Sequence, residues 1–202
     1  METYATLVII LLCWAILLAT DLVVSGLLRL VAKVPFRKAF KWGLMALLVP
    51  PMVIAYGTLV ERNRFEVKEL QLEFDELPQS FDGYRIVHLS DIHARSFSKR
   101  AKQMQKAVDM INGTGPDLVA FTGDLITMVP EELDTITPAL CRIKAKDGVV
   151  SVLGNHDYCM YSDMDEENKA KALERLIEAE KSMGWTLLLN ENRVISRGRD
   201  SV

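Results

Sequence analysis

Trp42 to Val60 is a run of 19 residues without a charge (WGLMALLVPPMVIAYGTLV), and from Thr3 to Leu28 only Asp21 carries one. As a helix rising 1.5 Å per residue, the Trp42–Val60 run extends ~28 Å, close to the ~30 Å of a bilayer's hydrocarbon core. Uncharged runs of this length are uncommon in soluble domains, so two membrane helices fit better than a pair of buried core helices. Pro50 and Pro51 would break a soluble helix, but membrane helices tolerate such kinks where neighbours satisfy the freed carbonyls. A cleaved signal peptide fits poorly, because Glu2 stands where its basic leading segment would be and the apolar run is too long. Residues 1–60 therefore read as a two-span membrane anchor. Between the spans, Arg29, Lys33, Arg37, Lys38 and Lys41 make the Arg29–Lys41 loop cytoplasmic by the positive-inside rule. The N-terminus and everything after Val60 are then expected on the outer side. Asp21 reads as a terminal residue of a shorter first span rather than as a contact for a partner helix.

After Val60 the character of the chain changes. The formal net charge of −3 divides into +3 over residues 1–60 and −6 over the remainder, and an acidic soluble part excludes a general nucleic-acid binder. With half its residues apolar and a quarter charged, the chain is not intrinsically disordered. Cys13, Cys141 and Cys159 form neither a disulfide framework nor a metal-site spacing; Cys141 and Cys159 are expected as small buried side chains. RFEVKELQLEF (64–74) alternates like a strand with one irregular position. Three short apolar runs follow, YRIVHLS (84–90), DLVAFTG (117–123) and GVVSVLG (148–154). Amphipathic helices are expected between and after them, at Lys99–Ile111, Glu131–Ile143 and Glu166–Met183. WTLLLN and RVIS read as two further strands. Strand–helix–strand repetition predicts an α/β fold, a parallel sheet with crossover helices.

The three apolar runs end in Ser90-Asp91-Ile92-His93, Thr122-Gly123-Asp124 and Gly154-Asn155-His156-Asp157. His93 to Asp124 is 31 residues and Asp124 to Asn155 is 31 again, one strand–helix unit each, so all three clusters return to the same sheet edge. Ligands of open parallel sheets gather there, beyond the carboxyl ends of the strands. Taken singly, each cluster reads equally as helix caps and turns; together they supply carboxylate, imidazole and amide groups suited to Mn²⁺, Fe²⁺ or Zn²⁺. Gly123 and Gly154 allow a sharp turn and a close approach. His88 falls inside a strand and reads as structural.

In this order and context, Asp91-x-His93, Gly123-Asp124 and Gly154-Asn155-His156-Asp157 resemble the calcineurin-like metallophosphoesterases. The likeness to membrane-anchored bacterial members extends from LPQSFDGYRIVHLSDIH (77–93) to LLLNENRVISRG (187–198). The resemblance implies a domain over 61–202, the first half of a metallophosphoesterase α/β sandwich, and says little about the anchor; the apolar spans and the cations of the 29–41 loop lead us to expect a multi-pass protein of the bacterial cell membrane with this domain on the extracytoplasmic side. The resemblance also implies two divalent metal ions. Asp91 and His93 would bind the first, Asp124 would bridge both, and Asn155 would bind the second. Two cations ~3.5–4 Å apart clamp a phosphate and turn a bridging water into the attacking hydroxide. His156 would serve the leaving-group oxygen, with Asp157 holding its imidazole. The expected substrate is a phosphomonoester, phosphodiester or pyrophosphate near the bilayer; protein partners are not legible.

The family pattern continues with further histidines, one at a later strand end and two in Gly-His-x-His, whereas no histidine follows His156 in this chain. That difference leads us to expect a fragment of a longer enzyme, with one sheet face uncovered and little turnover by these 202 residues themselves. The competing reading is a non-catalytic membrane protein with an incomplete metal site.

Overall fold

The computed structural model describes residues 2–202, in two units, Met1–Glu66 and Val67–Val202. In the first unit, apolar residues occupy nearly the whole circumference of the two longer helices, α1 and α3. Helix α1 is Glu2–Val31; after a four-residue turn come α2 (Phe36–Gly43), a 3₁₀ segment (Leu44–Leu48) and α3 (Val49–Leu59). Pro50 and Pro51 fall in the first turn of α3, where their missing N–H groups cost no helical bond. The stretches Leu7–Val31 and Phe36–Asn63 are both long and apolar enough to cross a membrane, with mean hydropathies of 2.8 and 1.9. The cationic segment is not an open loop as expected: Arg29 lies in the last turn of α1, and Arg37, Lys38 and Lys41 lie on α2. Asp21 also departs from its expected place. It lies ten residues before the end of α1, accepts a hydrogen bond from Ser25 Oγ (3.1 Å), and packs so closely on Gly43 that a Cβ there would collide with its carboxylate. Desolvation in an apolar hairpin favours turning the acid toward the second helical segment. Trp14 Nε1 donates to the Leu47 carbonyl (2.7 Å) for the same reason.

The second unit is built on four parallel strands in sequential order: β1 (Ile86–Leu89), β2 (Leu118–Phe121), β3 (Val149–Ser151) and β4 (Thr186–Leu187). Its crossovers are α4 (Ala101–Gly113), a 3₁₀ turn (Pro130–Thr135) with α5 (Thr137–Leu140), and α6 (Glu166–Ser182). Sequential order with right-handed crossovers puts every helix on one sheet face. Val119, Phe121 and Val149 there meet Met104 and Val108 of α4, Leu140 of α5 and Leu176 of α6. The opposite face is open: Ile86 is 58 % exposed, and His88, also exposed, bonds Thr122 Oγ1 at 2.8 Å.

Four local expectations change. Residues 64–74 form no strand, and Leu70, Leu72 and Phe74 are exposed, because the alternating segment pairs with no strand among the described residues. The Glu131–Ile143 helix is broken into a 3₁₀ turn and one α-turn, since Pro138 lacks the N–H that would continue it. RVIS contributes only Ser196, to a hairpin of β5 (Ser196–Arg197) and β6 (Asp200–Ser201). Buried Asp117, just before β2, ties this hairpin to the sheet by accepting from Arg197 (2.6 Å), Lys146 (2.7 Å) and the Arg85 amide (2.7 Å). Burial would raise its carboxyl pKa, but these donors outweigh it and hold it below the usual carboxylate range. Cys159 is buried as expected, whereas Cys141 is exposed.

Candidate metal centre

Beyond the strand ends the sheet's backbone ladder continues into the turns. Thr122 N donates to Leu89 O, Asp91 N to Gly123 O, His93 N to Asp124 O and Ala94 N to Leu125 O, all between 2.9 and 3.0 Å. This ladder locks the Asp91–His93 turn to the Gly123–Asp124 turn. Asp91, His93 and Asp124 all take positive φ (53°, 46° and 59°), a conformation that costs a non-glycine residue energy and that surrounding bonds must enforce. Gly123 (φ 97°) packs against the Gly154 backbone and Gly154 against the Asp124 carboxylate, so a Cβ at either would collide.

The result is a group of converging donors. Ligand atoms of His93, Asp124 and His156 lie within 4.8 Å of one another. Asp91 Oδ1 is 3.6 Å from His93 Nε2, and Ser90 Oγ donates to Asp91 Oδ2 (2.5 Å). Asp124 Oδ1 accepts from the His156 amide (2.9 Å), which joins the third cluster to the second. His93 Nδ1 is buried and has no hydrogen-bond partner among the described residues. An imidazole left in that state beside two carboxylates is the donor set that a borderline divalent cation satisfies, so the residues fit a metal.

His156 and Asp157 do not pair as expected. Asp157 is wholly buried and accepts from four backbone amides: Asp124 (2.8 Å), Leu125 (2.9 Å), Ile126 (3.1 Å) and Gly154 (2.9 Å). Burial pushes its carboxyl pKa up, against these four bonds. With both oxygens engaged, it holds the Asp124 and Gly154 turns together and has no bond for the imidazole. His156 Nδ1 instead meets the Thr127 carbonyl at 2.8 Å. A carbonyl only accepts, so Nδ1 carries a proton and donates to it, which leaves Nε2 as the ring nitrogen outside this bond.

Sequence reasoning did not find the supports of this arrangement. Glu132 accepts from the amides of Thr127 (2.7 Å), Met128 (3.1 Å) and Arg95 (3.3 Å), and so fixes the carbonyl that orients His156. Its place in the first turn after Pro130 is a capping signal that the sequence does carry. Tyr161, whose hydroxyl accepts from Asn155 Nδ2 (3.0 Å), had no such signal.

A calcineurin-like phosphoesterase model matches residues 84–196. A transmembrane protein with metallophosphoesterase domain from Danio rerio is 32 % identical over 120 residues, covering 59 % of this chain and 27 % of that protein. The metallophosphoesterase YkuE of Bacillus subtilis is 30 % identical over 52 % of this chain and 37 % of its own length. UDP-2,3-diacylglucosamine pyrophosphatase LpxG of Chlamydia trachomatis is 28 % identical over 63 % of this chain and 39 % of its own. The chain thus spans less than two fifths of these relatives' lengths. No solved structure matches. The match runs through all three strand-end clusters and more than half of the chain, and on that basis the chain belongs to the calcineurin-like phosphoesterase family.

Proposed function

We propose that this chain carries the metal site of a phosphoester hydrolase held against a membrane by residues 1–60. The observation that supports it best is the convergence of His93, Asp124 and His156 within 4.8 Å at the carboxyl ends of parallel strands. In this reading Asp91, His93, Asp124 and Asn155 hold two divalent cations, with Asp124 shared. Bound cations supply positive charge for the phosphoryl oxygens and acidity for the attacking water. The protein's own part is positional. Glu132 and Asp157 suspend the 124–128 loop by five amide hydrogen bonds. Thr127 fixes the His156 ring, and Nε2, once protonated, donates to the leaving-group oxygen. Asp157 is a positioning residue.

For the substrate we propose a phosphoester or pyrophosphate close to the bilayer. The Chlamydia relative is named for hydrolysing the pyrophosphate of a diacylated sugar nucleotide, which supports a lipid-linked phosphate. The cation-rich 29–41 segment supports a cytoplasmic turn, with the phosphoesterase unit outside. Fusions after residue 70 should then be active as alkaline phosphatase and silent as a cytoplasmic fluorophore.

The test is Mn²⁺ titration of the detergent-solubilised chain, with p-nitrophenyl and bis-p-nitrophenyl phosphate as substrates. Saturable Mn²⁺ binding is expected, with slow metal-dependent release of p-nitrophenol that His156→Ala reduces by about 10²–10⁴ while metal content is kept. Binding without turnover would return the non-catalytic reading, and absence of binding would overturn the metal site.

A further inference from the structure

Between Asp21 and Glu61 the chain holds five cations and no acid: Arg29, Lys33, Arg37, Lys38 and Lys41. All five are exposed, and among the described residues none has a side-chain hydrogen bond or ion pair. In the second unit, by contrast, Arg142, Lys171 and Arg175 each meet a carboxylate at 2.5–2.7 Å. Helix α2 sorts its charges by face. Phe36 and Phe40 stack, with centroids 5.7 Å apart and planes 11° apart, and with Gly43 they form the partly buried side that meets α1. Arg37, Lys38 and Lys41 lie within about 100° of one another on the other side. Trp42 flanks them and is 68 % exposed. A short helix with cations on one side and aromatic rings on the other, joining two apolar spans, suits the interface of a bilayer. The anions in reach there are lipid headgroups, since the hairpin offers these cations no carboxylate of its own.

We propose that the Arg29–Lys41 turn is a binding surface for anionic phospholipid headgroups, with Arg37, Lys38 and Lys41 as its main contacts. The proposal uses the membrane anchor and is independent of the metal site. Guanidinium and ammonium groups form charge-assisted hydrogen bonds to phosphate oxygens. Each cation near an anionic leaflet is worth about fivefold in binding. A zwitterionic headgroup carries its own ammonium, which offsets that attraction.

The experiment reconstitutes the full chain in vesicles of phosphatidylcholine and phosphatidylglycerol. Spin-labelled forms of each lipid report, by electron paramagnetic resonance, the fraction held at the protein. Both leaflets have the same composition, so the direction of insertion does not affect the reading. Wild type should prefer phosphatidylglycerol about fivefold, and about 1 M salt should abolish the preference without any substitution. The triple variant Arg37→Gln, Lys38→Gln, Lys41→Gln should fall below twofold with its helical circular dichroism unchanged. Arg62→Gln, Arg64→Gln, Lys68→Gln removes the same charge from a segment interleaved with Glu61, Glu66 and Glu69, and should keep the wild-type preference. Cations that only orient the hairpin during insertion would leave the assembled protein indifferent to headgroup. A wild-type preference below twofold, a preference that survives high salt or the α2 triple variant, or an equal loss in the second triple variant overturns the proposal. Absence of any held lipid around wild type removes the anchor itself, and that result is distinct from held lipid without selectivity.

Discussion

Leu11 on α1 is 52 % exposed and Leu125 after β2 is 0 % exposed, and the two leucines represent opposite rules of burial in one chain. In the N-terminal unit large apolar side chains point outward while Ser25, Asp21 and the Trp14 indole N–H turn toward protein. In the phosphoesterase unit Val119, Phe121 and Leu125 are inside and the charges are mostly outside. Lipid tails are as apolar as leucine, so the first arrangement loses nothing in a bilayer, whereas the second is driven by removing apolar area from water. Each unit also shelters a carboxylate, with different outcomes. Asp157 is satisfied by four amides from two turns, while Asp21 has one oxygen paired with Ser25 and the other buried without a partner among the described residues. Turns at strand ends have spare N–H groups to offer, and a continuous helix has none.

The largest effect should come from Asp157→Ala. Four amides, two of them buried and two part-buried, would lose an acceptor worth about 1.5–3 kcal/mol each at most, a sum comparable with the whole stability of a small domain. The phosphoesterase unit should lose its cooperative urea transition while the helical signal of the hairpin persists in detergent; a wild-type midpoint would break the comparison. Next, Leu125→Ala should destabilise the same unit by about 2–5 kcal/mol, against about 0.5 kcal/mol or less for Leu11→Ala in micelles. Equal costs would mean that the hairpin has a water-driven core after all.

Glu180 on α6 sharpens the contrast through pH. It is fully buried against Ser151 Oγ, its Oε1 has no partner among the described residues, and burial pushes its pKa up to about 7. A raised carboxyl contributes stability that is complete below its unfolded value near 4.5 and is lost as pH rises through about 7. The difference between wild type and Glu180→Gln, followed by urea unfolding, should therefore change by roughly 3 kcal/mol from pH 4.5 to above 7. A pH-independent difference would place the glutamate in water. The smallest free-energy change, but the most local, is expected from Asp124→Asn. It keeps the oxygen that accepts from the His156 amide, so the melt should hold while Mn²⁺ affinity falls about 100-fold. An unchanged affinity would remove Asp124 from the site.

Much of the site was legible because its information is local and periodic. Asp91, His93, Asp124 and His156 each follow an apolar run, and the 31-residue spacing of one strand–helix unit returns each run's end to the same edge. The uncharged spans were legible for a similar reason, since length and absence of charge are properties of a segment by itself. Segment 64–74 shows where such reasoning fails. Alternation describes a strand's faces, but a strand exists only when another pairs with it, and none does here.

By itself, then, the sequence determined the order of elements, the parallel α/β class, the apolar hairpin and the edge on which the polar clusters meet. Only the tertiary structure decided what each polar atom does there. It gave Asp157 to the amides of two turns, His156 Nδ1 to Thr127, Asn155 Nδ2 to Tyr161 and Asp21 to the face of Gly43. Most of these partners are 22 to 33 residues apart, and even Tyr161 reaches Asn155 only across a turn. The direction of a side chain at a turn depends on φ values such as the 59° of Asp124, which the packing of neighbouring turns imposes and residue type alone does not specify.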